Sequence, residues 1–253
     1  MDKSINFTGV GYHRLVSELL RAGYSSVNYE EVDPKAQHLI LRHDIDMSLD
    51  AAIRIAEIES ELGVKACYFV LLRSELYNPM SKVGKEIINR ILDLGHEVGL
   101  HFDSTLYEND IVSMENGAIW ECNVLEQILG QSIKVISFHR PYSHFLGLER
   151  LIAGRIHVYH PKYYSDIGYC SDSRGGWHYG DPLNHSSFQN KLALQLLTHP
   201  IWWNQEKELD PVEVLDNFRE TKDANTARII SANCDPYRVV RGDTPPPFRR
   251  HGR

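Results

Sequence analysis

The sequence changes from apolar to charged within the stretch Leu39-Ile40-Leu41-Arg42-His43-Asp44-Ile45-Asp46. Its apolar half predicts a buried strand that ends in charged residues. Ser48 follows and can cap a helix, whose apolar residues recur at helical spacing up to Leu62 until Gly63 stops it. This stretch therefore predicts a strand, a turn that carries two aspartates, and a helix.

The same order of elements recurs along the chain, at intervals of roughly 30 residues, which is the length of a βαβ unit. Such units imply parallel strands joined by right-handed crossovers. Residues 139–190 are aromatic and irregular and predict long loops and short strands. We predict an α/β fold, with one domain over residues 1–240 and a tail over 241–253. Further strands are predicted at 66–72, 97–101, 133–138 and 192–197, and helices at 83–94, 118–129 and 211–224.

The bulk composition is that of an ordinary globular protein, with 42% apolar and 24% charged residues among 253. A formal charge of -7 argues against a general affinity for nucleic acid. The first residues lack the pattern of a secretory signal, and no stretch approaches the roughly 20 apolar residues that span a bilayer. The four cysteines show no C-x-x-C spacing. We expect a cytoplasmic protein with reduced thiols.

Residues that can do chemistry follow the predicted strands, at the ends where functional sites of parallel α/β folds collect. Asp44 and Asp46 lie two residues apart, so both side chains project from the same face of an extended strand. Like charges so close repel, and a bound cation is one way to relieve this, although a helix cap with a spare acid is the alternative. His101, likewise, could be a hydrogen-bonded structural residue. Their coincidence with other strand ends favours a site; the residues there are His43, Asp44, Asp46, His101, Asp103, His139, Arg140 and His199.

Four segments in order carry a resemblance to a known family: Arg42-His43-Asp44-Ile45-Asp46, Gly95-His96-Glu97-Val98-Gly99-Leu100-His101, Asp172-Ser173-Arg174-Gly175-Gly176-Trp177 and Leu197-Thr198-His199. With them the chain resembles the polysaccharide deacetylases of the NodB-homology type, carbohydrate esterase family four, in their Asp-x-Asp branch. The resemblance covers about residues 39–203 and implies a distorted (β/α) barrel. It also implies a divalent metal ion, for which Zn²⁺ is the usual choice with mixed nitrogen and oxygen ligands.

The resemblance assigns roles to individual residues. Asp44 would be the catalytic base, His199 the general acid, and Asp46 and His101 metal ligands, with His96 structural. Asp172 is expected to orient the catalytic groups, through Arg140. For the sugar groove we expect Trp177, Trp202 and Tyr142, although core packing is an equal alternative for Trp177, and Trp202 or Trp203 could contact apolar neighbours alone.

Two positions depart from the family pattern. The family's second metal histidine should follow the first by four residues, where this chain has Thr105. The third family motif reads Phe138-His139-Arg140-Pro141-Tyr142, with His139 near the usual place of an arginine. We predict that His139 supplies the missing imidazole; Asp103 or a water molecule is the alternative.

The predicted function is metal-dependent removal of an N-acetyl or similar small acyl group from an amino sugar. The expected substrate is a nucleotide-linked, lipid-linked or glycan precursor in surface polysaccharide or O-antigen-type synthesis. A deformylase of a formamido sugar and a non-catalytic sugar-binding protein on the same fold are the alternatives, and Thr105 favours the latter. The oligomeric state does not follow from the sequence.

Overall fold

A computed structural model describes residues 5–178 and 180–241 of the chain. It divides into two compact units, Met1–Glu208 and Leu209–Arg253. The predicted tail lies outside the described residues, except for Arg241. Within the described residues, each helix is too short or too polar to cross a bilayer.

The first unit alternates strands and helices in the order that the sequence predicts. The longer helices begin at side-chain caps: Ser48 accepts from the Ala51 amide, and Asp110 accepts from the Val112 and Ser113 amides. Its elements are α1 (Gly9–Arg21), β1 (Ser25–Ser26), β2 (His38–Ile45), α2 (Leu49–Glu61), β3 (Cys67–Val70), α3 (Lys82–Asp93), β4 (Glu97–Asp103), α4 (Ile111–Leu129), β5 (Val135–His139), β6 (Ile156–His157), α5 (Pro161–Tyr164), β7 (Gly168–Ser171), α6 (Ser186–Gln189), β8 (Leu194–Thr198) and α7 (Pro200–Trp203).

The strands of the described chain form one parallel sheet in the order β6-β5-β4-β3-β2-β8-β7, and β1 adds to β2. Strands β2 to β5 are neighbours in chain order, whereas β8 returns from the end of the unit to pair with β2. The result is a curled half-barrel of parallel strands with surrounding helices, which confirms the predicted fold class. All carboxyl ends of the strands meet at one edge of this sheet.

Strands β2 to β5 and β8 are buried on both faces, and this explains why they are rich in consecutive apolar residues. Gly99 on β4 is required by close packing, because a Cβ there would lie 2.5 Å from the Phe69 ring and 2.8 Å from the Val135 carbonyl oxygen. The core of the unit thus lies between the sheet and helices α1 to α4.

Two predicted helices are longer in the structure. Helix α4 begins at Ile111 and not at residue 118, because the Asp110 cap starts it two turns earlier. In the second unit, α8 (Pro211–Asn233) continues past residue 224, and α9 (Asp235–Arg241) follows. Helix α8 begins with a capping box between Asp210 and Glu213.

Candidate active site

Five predicted site residues converge at the carboxyl edge of the sheet. Asp44 lies near the end of β2 and Asp46 follows that strand directly, while His101 lies on β4 and His139 ends β5. His199 follows β8, the other neighbour of β2. Because the strands are parallel, residues at these ends become neighbours although they are far apart in the sequence.

Asp46, His101 and His139 form a cluster that could hold a metal ion. One ligand atom from each lies within 4.8 Å of the others. Asp46 Oδ1 is 3.0 Å from His101 Nε2 and 3.3 Å from His139 Nδ1. Burial raises the pKa of Asp46, but the hydrogen bonds from His101 and His139, together with the charges of His101 and His199, lower it more, so this carboxylate is charged.

Asp103, the alternative third ligand, is engaged elsewhere. Its Oδ1 accepts from the backbone amide and the hydroxyl of Thr105, at 3.0 and 2.7 Å. Its Oδ2 lies 2.6 Å from Arg140 Nη2. The structure therefore brings His139, and not Asp103, next to Asp46, which is the arrangement that the prediction requires.

Asp44 is held by a buried arginine on its own strand. Arg42 Nε donates to Asp44 Oδ1 at 3.0 Å, and Arg42 Nη2 donates to Oδ2 at 2.8 Å. Ser137 on β5 accepts from Arg42 Nη2 at 2.7 Å and donates to Asp44 Oδ2 at 3.2 Å. Burial raises the pKa of Asp44, yet the adjacent Arg42 and His101 lower it more, so the net direction is downward. Asp44 is thus an ionised carboxylate with a fixed orientation.

His199 is oriented by Asp172, at the start of the loop after β7. The His199 Nδ1 and Asp172 Oδ1 atoms are 2.6 Å apart, and the His199 backbone amide donates to both carboxylate oxygens. Trp203 Nε1 donates to Asp172 Oδ2 at 2.7 Å. Burial lowers the pKa of His199, but the Asp172 carboxylate raises it to about 9. The other ring nitrogen, Nε2, is left facing Asp46 Oδ2 at 3.7 Å.

A cavity of about 530 Å³ opens beside these groups. Asp44, His101, His139 and His199 contribute to its lining. The remaining wall is largely aromatic and apolar, with Phe138, Arg140, Pro141, Leu146, Tyr159, Tyr164, Tyr169, Ser173 and Leu197. A small organic molecule in this cavity would therefore contact the acid, the histidines and several rings together.

The other predicted site residues lie in different environments. Arg140 lines the cavity but pairs with Asp103, not with Asp172. Trp177 packs against Phe7 and Trp203, with ring centroids 5.6 and 5.8 Å apart. Trp202 is buried in α7, and Tyr142 is half-buried before a short 3-10 turn. The roles predicted for Trp177, Trp202 and Tyr142 in substrate binding stay predictions.

Several residues of the site were not predicted from the sequence. The contact of Arg42 with Asp44 could have been predicted, because residues two positions apart on a strand lie on the same face of the sheet. Ser137 carried none, since a serine inside a strand is common. The cavity tyrosines, Tyr159, Tyr164 and Tyr169, come from the irregular segment, where no periodicity indicates which side chains point inward.

No protein-family model matches this chain, and no curated protein matches it. Solved structures that resemble it include esterases and deacetylases of the family that the sequence resembles. A Streptococcus mutans CE4 esterase is 16% identical, with 76% of this chain and 84% of that chain covered and a TM-score of 0.47. A Streptococcus pyogenes deacetylase in complex with acetate is 13% identical, with 85% and 88% covered and a TM-score of 0.44. A Clostridium thermocellum family 4 acetyl xylan esterase in complex with a cobalt ion is 15% identical, with 74% and 84% covered and a TM-score of 0.39.

Proposed function

We propose that the chain is a metal-dependent hydrolase that removes an N-acetyl, or similarly small acyl, group from an amino sugar. One observation carries the proposal: three metal-ligand side chains, an oriented carboxylate and a carboxylate-paired histidine converge beside one cavity. Hydrolysis of an amide needs an activated water, a stabilised oxyanion and a proton for the leaving amine. This set of side chains can meet each need.

The donor set of Asp46, His101 and His139 fits a divalent metal ion. It combines one carboxylate oxygen with two imidazole nitrogens, a mixture that suits zinc, and we propose Zn²⁺. Three protein ligands also match the usual number at catalytic zinc sites, which keep a position open. When bound, such an ion supplies Lewis-acid polarisation of the acyl carbonyl and lowers the pKa of water.

Asp44 is the proposed proton acceptor. It is ionised, it lines the cavity, and its orientation is fixed by the two hydrogen bonds from Arg42. A carboxylate in this position can take the proton of the water molecule that attacks the acyl carbon. Arg42 stays charged and holds Asp44 in place in either protonation state.

His199 is the proposed proton donor to the leaving nitrogen. Asp172 accepts from Nδ1–H, so the proton to be donated resides on Nε2, the atom on the side of Asp46. The raised pKa of about 9 keeps the imidazole of the metal-free chain protonated at neutral pH. The proton passes to the amine as the carbon–nitrogen bond breaks, which leaves a carboxylic acid and a free amino sugar.

The proposed substrate is a precursor-linked amino sugar in surface polysaccharide or O-antigen-type synthesis. The aromatic wall supports a sugar ligand, since tyrosine rings combine an apolar face with a hydroxyl that can contact sugar hydroxyls. The linked group, whether a nucleotide, a lipid or further sugars, is part of the proposal as a class. The cytoplasmic location stays a prediction.

The decisive experiment combines metal content with acyl release. Purified protein is measured for bound metal by elemental analysis and assayed for acetate release from acetamido sugars and their nucleotide conjugates. We expect Asp46→Ala and His101→Ala to lose metal, and Asp44→Asn and His199→Ala to keep metal but lose activity by on the order of 10²-fold or more. His13→Ala, on the exposed face of α1, is the matched control.

Two alternative functions are outcomes of the same assay. Formate release from formamido sugars, without acetate release, would identify a deformylase with the same residue roles. Absence of bound metal at every pH tested, together with sugar binding, would refute the enzyme and favour a non-catalytic sugar-binding protein.

A further inference from the structure

A second group of polar side chains is buried behind the active site, on the opposite face of β2. Because side chains alternate along a strand, His43 points away from the face that carries Arg42 and Asp44. It meets Glu59 of α2, with His43 Nε2 and Glu59 Oε1 2.8 Å apart. Tyr12 and Tyr68 each donate a hydroxyl hydrogen bond to the same carboxylate. We call Tyr12, His43, Glu59, Tyr68 and Thr198 the Glu59 network.

The network is buried and its members are joined by hydrogen bonds. Glu59, His43 and both tyrosines are fully buried. Burial raises the pKa of Glu59, but His43, His96 and the hydrogen bond from Tyr12 together lower it more, so the carboxylate is charged inside the core. Burying a charge is costly unless it is fully hydrogen-bonded, and an apolar side chain would serve packing at least as well. Stability therefore does not explain why a carboxylate is placed here.

The Glu59 network lies between two groups of active-site residues. The proposed metal ligands lie on or directly after β2, β4 and β5, on one side of the pairing between β2 and β8. His199 and Asp172 directly follow β8 and β7, on the other side. His43 and Thr198 form the last residue pair between β2 and β8, and His43 Nδ1 lies 2.7 Å from Thr198 Oγ1. The next residue after each of them is an active-site residue.

A second chain of contacts leads from Glu59 to the same histidine. Tyr12, which donates to Glu59, packs edge-on against Trp203 with ring centroids 5.4 Å apart. Trp203 in turn donates to Asp172, which holds His199. Glu59 is thus linked to His199 by two routes, through His43 to the strand pairing and through Tyr12 to Trp203, the residue that supports Asp172.

We propose that Glu59 is a positioning residue, which sets the place of the His199–Asp172 pair relative to Asp46 by holding His43 against Thr198 and Tyr12 against Trp203. The catalytic consequence rests on the proposed function, whereas the positioning of His199 does not. A shift of His199 by about 1 Å would misplace the proton donor and cost up to on the order of 10²-fold in rate.

The first test needs neither metal nor activity. The Nδ1–H proton of His199, hydrogen-bonded to Asp172 at 2.6 Å, should give a downfield NMR resonance in metal-free protein labelled with ¹⁵N-histidine. It is assigned by its absence in His199→Gln. We expect Glu59→Gln to displace or broaden this resonance in a protein that remains folded by circular dichroism. A Glu59→Gln resonance at the wild-type position would overturn the proposal.

One matched variant separates positioning from a general loss of core stability. Glu121→Gln changes another buried glutamate, on α4, outside both contact routes. It should leave the His199 resonance unchanged. A displaced resonance in Glu121→Gln would show that any buried change moves it and would overturn the proposal.

The second test uses kinetics and bound metal. If the proposed function holds, Glu59→Gln should lower kcat by about 10- to 100-fold with KM and metal content unchanged. An unchanged kcat in the folded variant would overturn the positioning role. A wild-type protein without metal or acyl release would refute the proposed function, while the resonance would still decide whether Glu59 positions His199.

Discussion

Glu121 is a buried carboxylate whose protonation should make the stability of the fold depend on pH. It lies on α4, is 1% exposed, and accepts one hydrogen bond from the Tyr107 hydroxyl at 2.7 Å. Burial raises its pKa from 4.5 to about 7, because the hydrogen bond and the nearby Arg73 do not fully offset the loss of hydration. The perturbation is Glu121→Gln, which has the same shape and keeps an acceptor for Tyr107.

The expected magnitude follows from the two pKa values. Between pH 4.5 and 7 the folded chain retains a proton at Glu121 that the unfolded chain has lost, so the free energy of unfolding falls as pH rises. The total fall is about 3 kcal/mol and is complete by about pH 8. Below pH 4.5 both states are protonated and this contribution is constant. The glutamine variant lacks the fall, so its advantage over wild type should grow from near zero at pH 4.5 to about 3 kcal/mol at pH 8.

Urea unfolding followed by circular dichroism between pH 4.5 and 8 measures this difference. Glu126→Gln, on the same helix, is the control, because the pH dependence that Glu126 gives to the free energy of unfolding should have the opposite sign. Burial raises the pKa of Glu126, but the hydrogen bonds from Arg155 and the Ile133 amide, together with the charge of Arg155, lower it more. Its contribution is therefore present at neutral pH and is lost as pH falls through the folded pKa. The reasoning about Glu121 would be refuted by a Glu121→Gln advantage that is the same at all pH values.

Three further predictions concern the site and its strands. Arg42→Lys replaces a planar guanidinium, which donates two hydrogen bonds to Asp44, with a single ammonium. We expect kcat/KM to fall by about tenfold or more while bound metal is retained. Asp172→Asn removes the charge that holds His199, so kcat should fall on the order of 10²-fold or more in steady-state assays, with circular dichroism unchanged. Gly99→Ala forces a methyl group to within 2.5 Å of a ring on β3, and should destabilise the fold by about 1–3 kcal/mol in urea unfolding, whereas an effect below measurement error would contradict the packing.

Much of the fold could be predicted because its strands and helices have local signatures. The strand that carries Asp44 begins with an apolar run, and the helix after it has its own cap at Ser48. Where signatures were weak, prediction was poorer: β7 spans only Gly168–Ser171 within the irregular segment, and the first turns of α4 have no regular apolar stripe. A short strand has too few residues to show a period, so only its pairing with β8 defines it.

The candidate site, like the fold, could be predicted from the sequence only in part. The sequence alone determined that acids and histidines follow successive strands, since strand periodicity and order along the chain are local properties. Only the tertiary structure decided which of them meet. It placed β8 beside β2, so that His199 faces Asp46 although the two residues are 153 positions apart in the chain, and it turned His139 toward Asp46 while Asp103 turned to Arg140. Such pairings depend on which strands pack together and on which partners satisfy each buried charge, and residue spacing does not encode either one.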